Sequence, residues 1–180
     1  MSEKGESSEE RGRVPHFGKN HGAGKDQDRN INQNNTTMVT INPYLNFNGN
    51  TEEAFNFYKA VFGGEFTVLQ RMKDTPEGDK VRADEKNRVM HVALPIGKEN
   101  LLMGSDTFDS MGHTLTMGNN MTISLSAASE KEADHIFRGL SSGGKVTMPL
   151  EKAFWGSYFG MLTDKFGIQW MVSFDYQQNK

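Results

Sequence analysis

The chain of 180 residues contains no cysteine. Disulfides, thiolate metal sites and cysteine nucleophiles are therefore excluded. Charge of either sign is also scarce in excess: 20 basic and 23 acidic side chains leave −3 at pH 7. That field is too weak to attract nucleic acid or an anionic membrane. No apolar run approaches the ~20 residues of a membrane-spanning helix. The N-terminus is polar and has no signal-peptide core, and neither an HExxH nor a Walker sequence occurs. The expectation is a cytoplasmic protein that engages neither nucleic acid nor membrane.

Apolar residues are thin in one region in particular. Residues 1–37 hold only Val14, Phe17 and Ile31 as sizeable apolar side chains beyond the initiator. Such a stretch cannot bury enough surface to offset its ordering entropy. It reads as a disordered N-terminal tail, a leader from an upstream start, or a short recognition segment. His16 and His21 fall within it. From Met38 the pattern changes, and 38–180 reads as one domain.

That domain is organised around Asn46–Gly64, the end of a strand, a turn, one amphipathic helix and a double-glycine stop. Thr51 is the expected N-cap, and Glu52 and Glu53 lie where the helix dipole favours negative charge. Ala54, Phe57, Tyr58, Val61 and Phe62 form an apolar stripe. Before it, Val39–Phe47 alternates as a strand interrupted at Pro43. After it, strands are expected over Glu65–Lys73, Arg88–Ile96 and Asn100–Gly104. Asp74–Asn87 is a long charged loop without an apolar pattern.

The plan then recurs. Asn119–Ser126 reads as a strand. Ser129 caps a second helix with Glu132 as capping-box partner, and Ala133, Ile136, Phe137 and Leu140 are its stripe. Strands are expected over Lys145–Leu150, Trp155–Leu162 and Ile168–Phe174. Ala54 and Ala133 are 79 apart, and the pairs Gly63-Gly64 and Gly143-Gly144 are 80 apart. Two modules, 38–106 and 118–176, thus share one strand–helix–three-strand plan and a pseudo-twofold axis. The fold class is α+β: two βαβββ modules forming a curved mixed sheet around a cleft.

The runs PYLNFNGNTEEAFNFYKAVFGGE (43–65), VMHVALPIG (89–97), LLMGSD (101–106) and GGKVTMPLEKAFWGSYFGMLTDKFGIQW (143–170) carry a resemblance. The sequence resembles the vicinal oxygen chelate superfamily, of glyoxalase/bleomycin resistance/dioxygenase fold. Within it, the chain is similar to the PhnB-like, 3-demethylubiquinone 3-methyltransferase-like proteins. The resemblance implies a homodimer. It also implies, for catalytic members, a divalent ion held by four side chains on the cleft face. The matching positions here are Tyr44, Met103, Thr122 and Met171. A phenol, a hydroxyl and two thioethers are not the imidazole and carboxylate set such ions take, so no metal and no cofactor is expected. The glycine pairs end helices, whereas a Gly-rich nucleotide-binding turn opens one.

His91 is the titratable residue of most interest. Its strand parity points it into the cleft, as a core histidine, a ligand donor or a catalytic base. Tyr44, His91, Met103, Asp106, Trp155 and Met171 are the expected ligand-binding residues, with turn or cap formation the plainer role for Asp106. The leading reading is a metal-independent protein that binds a small molecule in the inter-module cleft. The alternatives are a lyase, isomerase or transferase acting on a small oxygenated substrate, with His91 as base, and a non-catalytic structural or regulatory dimer.

Overall fold

A computed structural model describes residues 40–176. The expectations for 1–37, including His16 and His21, and for the start of the domain at 38–39 lie outside the described residues. The order of elements is β1 (Tyr44–Phe47), α1 (Thr51–Phe62), β2 (Val68–Arg71), β3 (Val89–Ile96), β4 (Asn100–Asp106), β5 (Ile123–Ser126), α2 (Glu130–Ser141), β6 (Lys145–Lys152), β7 (Ser157–Thr163) and β8 (Gln169–Asp175). Single 3-10 turns follow β2 at Met72–Asp74 and β4 at Asp109–Met111.

The strands form two four-stranded sheets, ordered β1-β4-β3-β2 and β5-β8-β7-β6. In each, the first pair is parallel and the other two are antiparallel. Identical order and direction are the duplication visible in the sequence, now in three dimensions. The class is α+β, with the mixed sheet divided into two matching halves. β1 and β5 are shorter than the alternation suggested. Residues 40–43 carry no strand, and Pro43 marks the boundary.

The helix ends are set in two different ways. Ser129 is the N-cap of α2, and its hydroxyl accepts the Glu132 N–H at 3.1 Å. The Glu132 carboxylate returns to the Ala128 N–H at 2.6 Å, one residue before the usual capping-box position. In α1 the N-cap is Asn50, which makes no side-chain cap bond. Thr51, the expected cap, is the first helical residue. It donates its hydroxyl, at 2.6 Å, to Asp106 at the end of β4. After α1, Gly63 takes φ 77° with ψ −165°, a region open in practice to glycine alone.

The core joins both modules. α1 buries Ala54, Phe55, Tyr58 and Val61, while Phe57 and Phe62 are only partly buried. The apolar arc is therefore wider than the sequence stripe, because α1 is packed on two sides. Phe55 enters the space above Gly104 of β4, where an added Cβ would lie 2.6 Å from the ring and 2.8 Å from the Leu45 carbonyl oxygen. On the other side, the Tyr58 ring meets Trp170 of β8 and Phe166, each edge-on or steeply inclined. The Tyr58 hydroxyl donates to Asp164 in the β7–β8 turn at 2.8 Å. Gly104→Ala is expected to cost about 2–3 kcal/mol, because a backbone oxygen cannot yield as a side chain can. Chemical denaturation of the variant measures this, and an unchanged midpoint would contradict the packing described.

Candidate functional site

Alternation along the first sheet sends Leu45, Phe47, Val92, Leu94 and Leu102 into the core. Tyr44, Asn46, His91, Met103 and Ser105 take the opposite face, which no helix covers. Parallel pairing of β1 with β4 sets Tyr44 beside Met103 and Asn46 beside Ser105. Across the face, the Tyr44 and His91 rings stack at 5.8 Å with planes 19° apart. The tyrosine hydroxyl lies 3.3 Å from His91 Nδ1. Tyr44 remains 44% exposed, so one ring face is free to meet a ligand.

Two concavities lie along this module, one of them with Tyr44 in its wall. One, of about 490 Å³, is a groove between the edges of β1 and β5, with Tyr44, Leu101, Thr122, Ile123 and Trp170 among its walls. The other, of about 700 Å³, has Asn46 and Ser105 among its walls, with Met90, Phe108, Met111 and Leu115. Asn46 and Ser105 lie two residues beyond Tyr44 and Met103 on the same face, so the second concavity opens farther along that face, with walls of its own.

The second pocket exists because module one carries longer connections. Met72, Val81 and Phe108 form a small core of their own, against which Met90 packs. Glu85, fully buried, ties the 75–88 loop to the 107–118 segment. Its carboxylate accepts from the Ser110 hydroxyl and from the Ser110 and Arg82 backbone N–H groups, with the Arg82 guanidinium at 3.3 Å. The Ser110 hydroxyl, helped by those N–H groups and by Arg82, holds the Glu85 carboxyl at about 2 against the upward push of burial. A carboxyl depressed when folded contributes its full stability above its unfolded value of 4.5 and loses that contribution as pH falls through about 2. A Glu85→Gln variant is therefore expected to show a flatter loss of thermal midpoint between those two pH values. A parallel loss in both proteins would contradict it.

The expected site residues divide into those the fold gathers and those it separates. Tyr44, His91 and Met103 meet on the open face. Asp106 is in the wall of the second concavity but only 4% exposed. Its Oδ1 accepts from the Gly49 and Thr51 N–H groups and the Thr51 hydroxyl, and its Oδ2 accepts from the Val89 N–H. These four bonds give Asp106 the cap role that was the plainer of its two expected ones. Met171 lies on the second sheet beside Ser124 and Met161. Trp155 sits before β7 with its ring against Phe154 and Phe159, and is not joined to His91 within the chain.

Two smaller points of sequence reading also change. The register partner of Met171 on β5 is Ser124, so Ser124 is the counterpart of Tyr44. Thr122 shares that face but precedes β5. The run Gly139–Gly143, GLSSG, has the GxSxG spacing of a nucleophile elbow, against the expectation that the chain holds none. It closes α2, and the Ser141 hydroxyl donates to the Arg138 carbonyl. His113 accepts the Phe108 N–H at 3.4 Å, and His135 donates to the Val61 carbonyl at 3.2 Å.

The four positions at which the superfamily's catalytic members hold a divalent ion carry Tyr44, Met103, Thr122 (or Ser124 by register) and Met171. These donors do not fit such an ion. Among the described residues, no three His, Asp or Glu side chains converge in a way that could hold one.

The model of the 3-demethylubiquinone-9 3-methyltransferase family matches residues 39–173. The chain belongs to this family. A relative in Escherichia coli K12, protein YjdN, is 26% identical over 148 residues, covering 78% of this chain and 98% of YjdN. Protein PA1353 from Pseudomonas aeruginosa is 39% identical, covers 77% of this chain and 98% of its own, and superposes with a TM-score of 0.68. The PhnB protein from Bacillus cereus is 27% identical, with 76% and 99% covered and a TM-score of 0.61. A glyoxalase/bleomycin resistance protein from Albidiferax ferrireducens shares the fold at 16% identity and a TM-score of 0.52, over 74% of this chain and 95% of its own. The family's PhnB-like members and the glyoxalase/bleomycin resistance fold are thus the setting in which the open face is to be read.

Proposed function

We propose that the chain is a small-molecule binding protein whose ligand lies on the open face of the first sheet, held without a metal. The observation that carries this reading is the Tyr44–His91 stack, half-exposed on a face with one concavity at Tyr44 and a second farther along at Asn46 and Ser105. Apolar walls with a few polar groups, here Asn46, Ser105 and the imidazole, are the ordinary composition of a ligand site. Native mass spectrometry of the purified protein tests it. A bound mass that is lost from Tyr44→Ala and His91→Ala, at unchanged secondary structure, is the expected result. A bound mass retained by both variants would refute it.

The family carries the name of a methyltransferase. In the described residues no helix opens on a glycine-rich turn after a parallel strand. Gly63 and Gly143, both at positive φ, follow the ends of α1 and α2 instead. That geometry supports capping, and it favours binding over transfer from a nucleotide cofactor.

A second reading, a lyase, isomerase or transferase on a small oxygenated substrate, is favoured by the 3.3 Å contact of the Tyr44 hydroxyl with His91. His91 would act as base and Tyr44 as its partner. Turnover unchanged in His91→Ala removes that role. A third reading, a structural or regulatory homodimer, is favoured by Phe154, 98% exposed beside Trp155 at 51%. A second copy covering this tip is the partner proposed. Phe154→Ser should then shift light-scattering mass toward the monomer. No described helix is long and apolar enough to cross a membrane, and a cytoplasmic location is part of the proposal.

A further inference from the structure

We infer that the ligand on the open face is a planar ring compound carrying no negative charge; the inference rests on the ligand placement proposed above. Three observations converge on it, and the first concerns charge. Among the described residues lining the two concavities there is no lysine or arginine, and the charged ones are Glu77 and Asp106. Four cations of the flanking loops are engaged within the chain. Arg71 is held by both oxygens of Glu52, at 2.7 and 2.9 Å. Lys80 pairs with Glu77, and Arg82 with Asp84 and Glu85. Arg88 donates to the Thr107 carbonyl at 2.6 Å and to Asn48. The nearest helix N-terminus, that of α1, would otherwise attract an anion. Asp106 already takes its Thr51 N–H and the neighbouring Gly49 N–H. A phosphate, phosphonate or carboxylate would meet no lysine or arginine on these walls, and the Glu77 carboxylate would repel it.

The second observation is shape. The Tyr44 and His91 rings are within 19° of parallel, and the exposed side of Tyr44 offers a flat surface for a further ring. Met103 of β4 stands beside Tyr44 of β1, with Met90 and Met111 in the second pocket. Thioethers pack favourably against ring edges and adapt to irregular outlines. The third is the polar equipment. The Asn46 side chain and the Ser105 hydroxyl are joined by a long 3.4 Å hydrogen bond. That bond is weak enough to be exchanged for one to a ring nitrogen or a carbonyl oxygen.

The test uses the full chain and three probes with one ring system: acridine, N-methylacridinium and acridine-9-carboxylate, each titrated by its own fluorescence at pH 7.5. Acridine and N-methylacridinium are expected to bind, and the carboxylate at least about tenfold more weakly, as like charges meet across the contact. Ser105→Trp, which fills the pocket floor, should abolish binding of the first two. Asn46→Lys, or Met111→Lys should the former fail to fold, should bring the carboxylate up to the level of acridine. A carboxylate that binds the native protein as tightly as acridine overturns the inference and leaves the ligand placement standing. Binding of acridine undiminished in Ser105→Trp puts the ring elsewhere and overturns it too. If none of the three probes binds at millimolar concentration, the inference and the placement fail together.

Discussion

Replacing Asp164 with alanine is expected to lower the thermal midpoint by about 10–15 °C, from a loss of about 3–5 kcal/mol. Asp164 is 4% exposed in the β7–β8 turn. Its Oδ1 accepts the Phe166 and Ile168 N–H groups at 2.9 and 3.0 Å, which shapes the turn. Its Oδ2 accepts the Tyr58 hydroxyl and the Trp170 indole N–H, each at 2.8 Å. Tyr58 and Trp170 are wholly buried, so alanine leaves two donors in the core with nothing to bond, and each unsatisfied donor is costly. Burial, then the charge and hydrogen bond of Asp164, push the Tyr58 hydroxyl well above its usual range, so it remains a donor. Tyr58→Phe alone removes one charge-assisted bond, for about 1.5–3 kcal/mol. In the Asp164→Ala background, Tyr58→Phe should be neutral or stabilising, because it deletes an orphaned donor. Equal costs in both backgrounds would show that the bond joining the two modules contributes nothing.

The second large effect is expected at Asp106. Asp106→Ala removes the acceptor for three backbone N–H groups and one hydroxyl, at a cost of about 3–4 kcal/mol. Thr51→Val, which loses only the hydroxyl donor, should cost about 1 kcal/mol. The two variants also differ in where protection is lost. With Asp106 gone, the amides of Gly49, Thr51 and Val89 should exchange faster than the global opening rate allows. Thr51→Val should leave the amides of Gly49 and Val89 protected. Unchanged exchange at all three positions in Asp106→Ala would contradict the capping role.

These two carboxylates mark the limit of what the sequence discloses. The cap of α2 was legible because Ser129 and Glu132 are three residues apart and act on each other's turn. The cap of α1 was not, since its acceptor lies 55 residues away on another strand. A local reading credits Thr51 with the work of Asp106. Phe55 was missed for a similar reason. Its face of α1 is buried by Gly104, whose missing side chain becomes a feature only when β4 is seen to pass beneath. The duplicated plan and the class of fold were legible because they rest on strand alternation and helix period repeated twice. The 75–88 loop had no period, so its buried Glu85 and the small core around Val81 gave no signal. Of the proposed site, His91 was reachable by strand parity, and Tyr44 and Met103 through the positions that the resemblance matched. Parity says which face a residue takes, not which sheet will stand opposite, and so it could not place Trp155 or Met171.

The account's central claim is that the open face around Tyr44, His91 and Met103 takes a ligand without a metal. Methionine methyl resonances report on it directly, because Met90, Met103 and Met111 surround that face while Met148 and Met161 lie on the second sheet. With a chelator present, titration with N-methylacridinium is expected to move the first three and leave Met148 and Met161 in place. Shifts confined to Met148 and Met161, or shifts that require an added divalent ion, would contradict it.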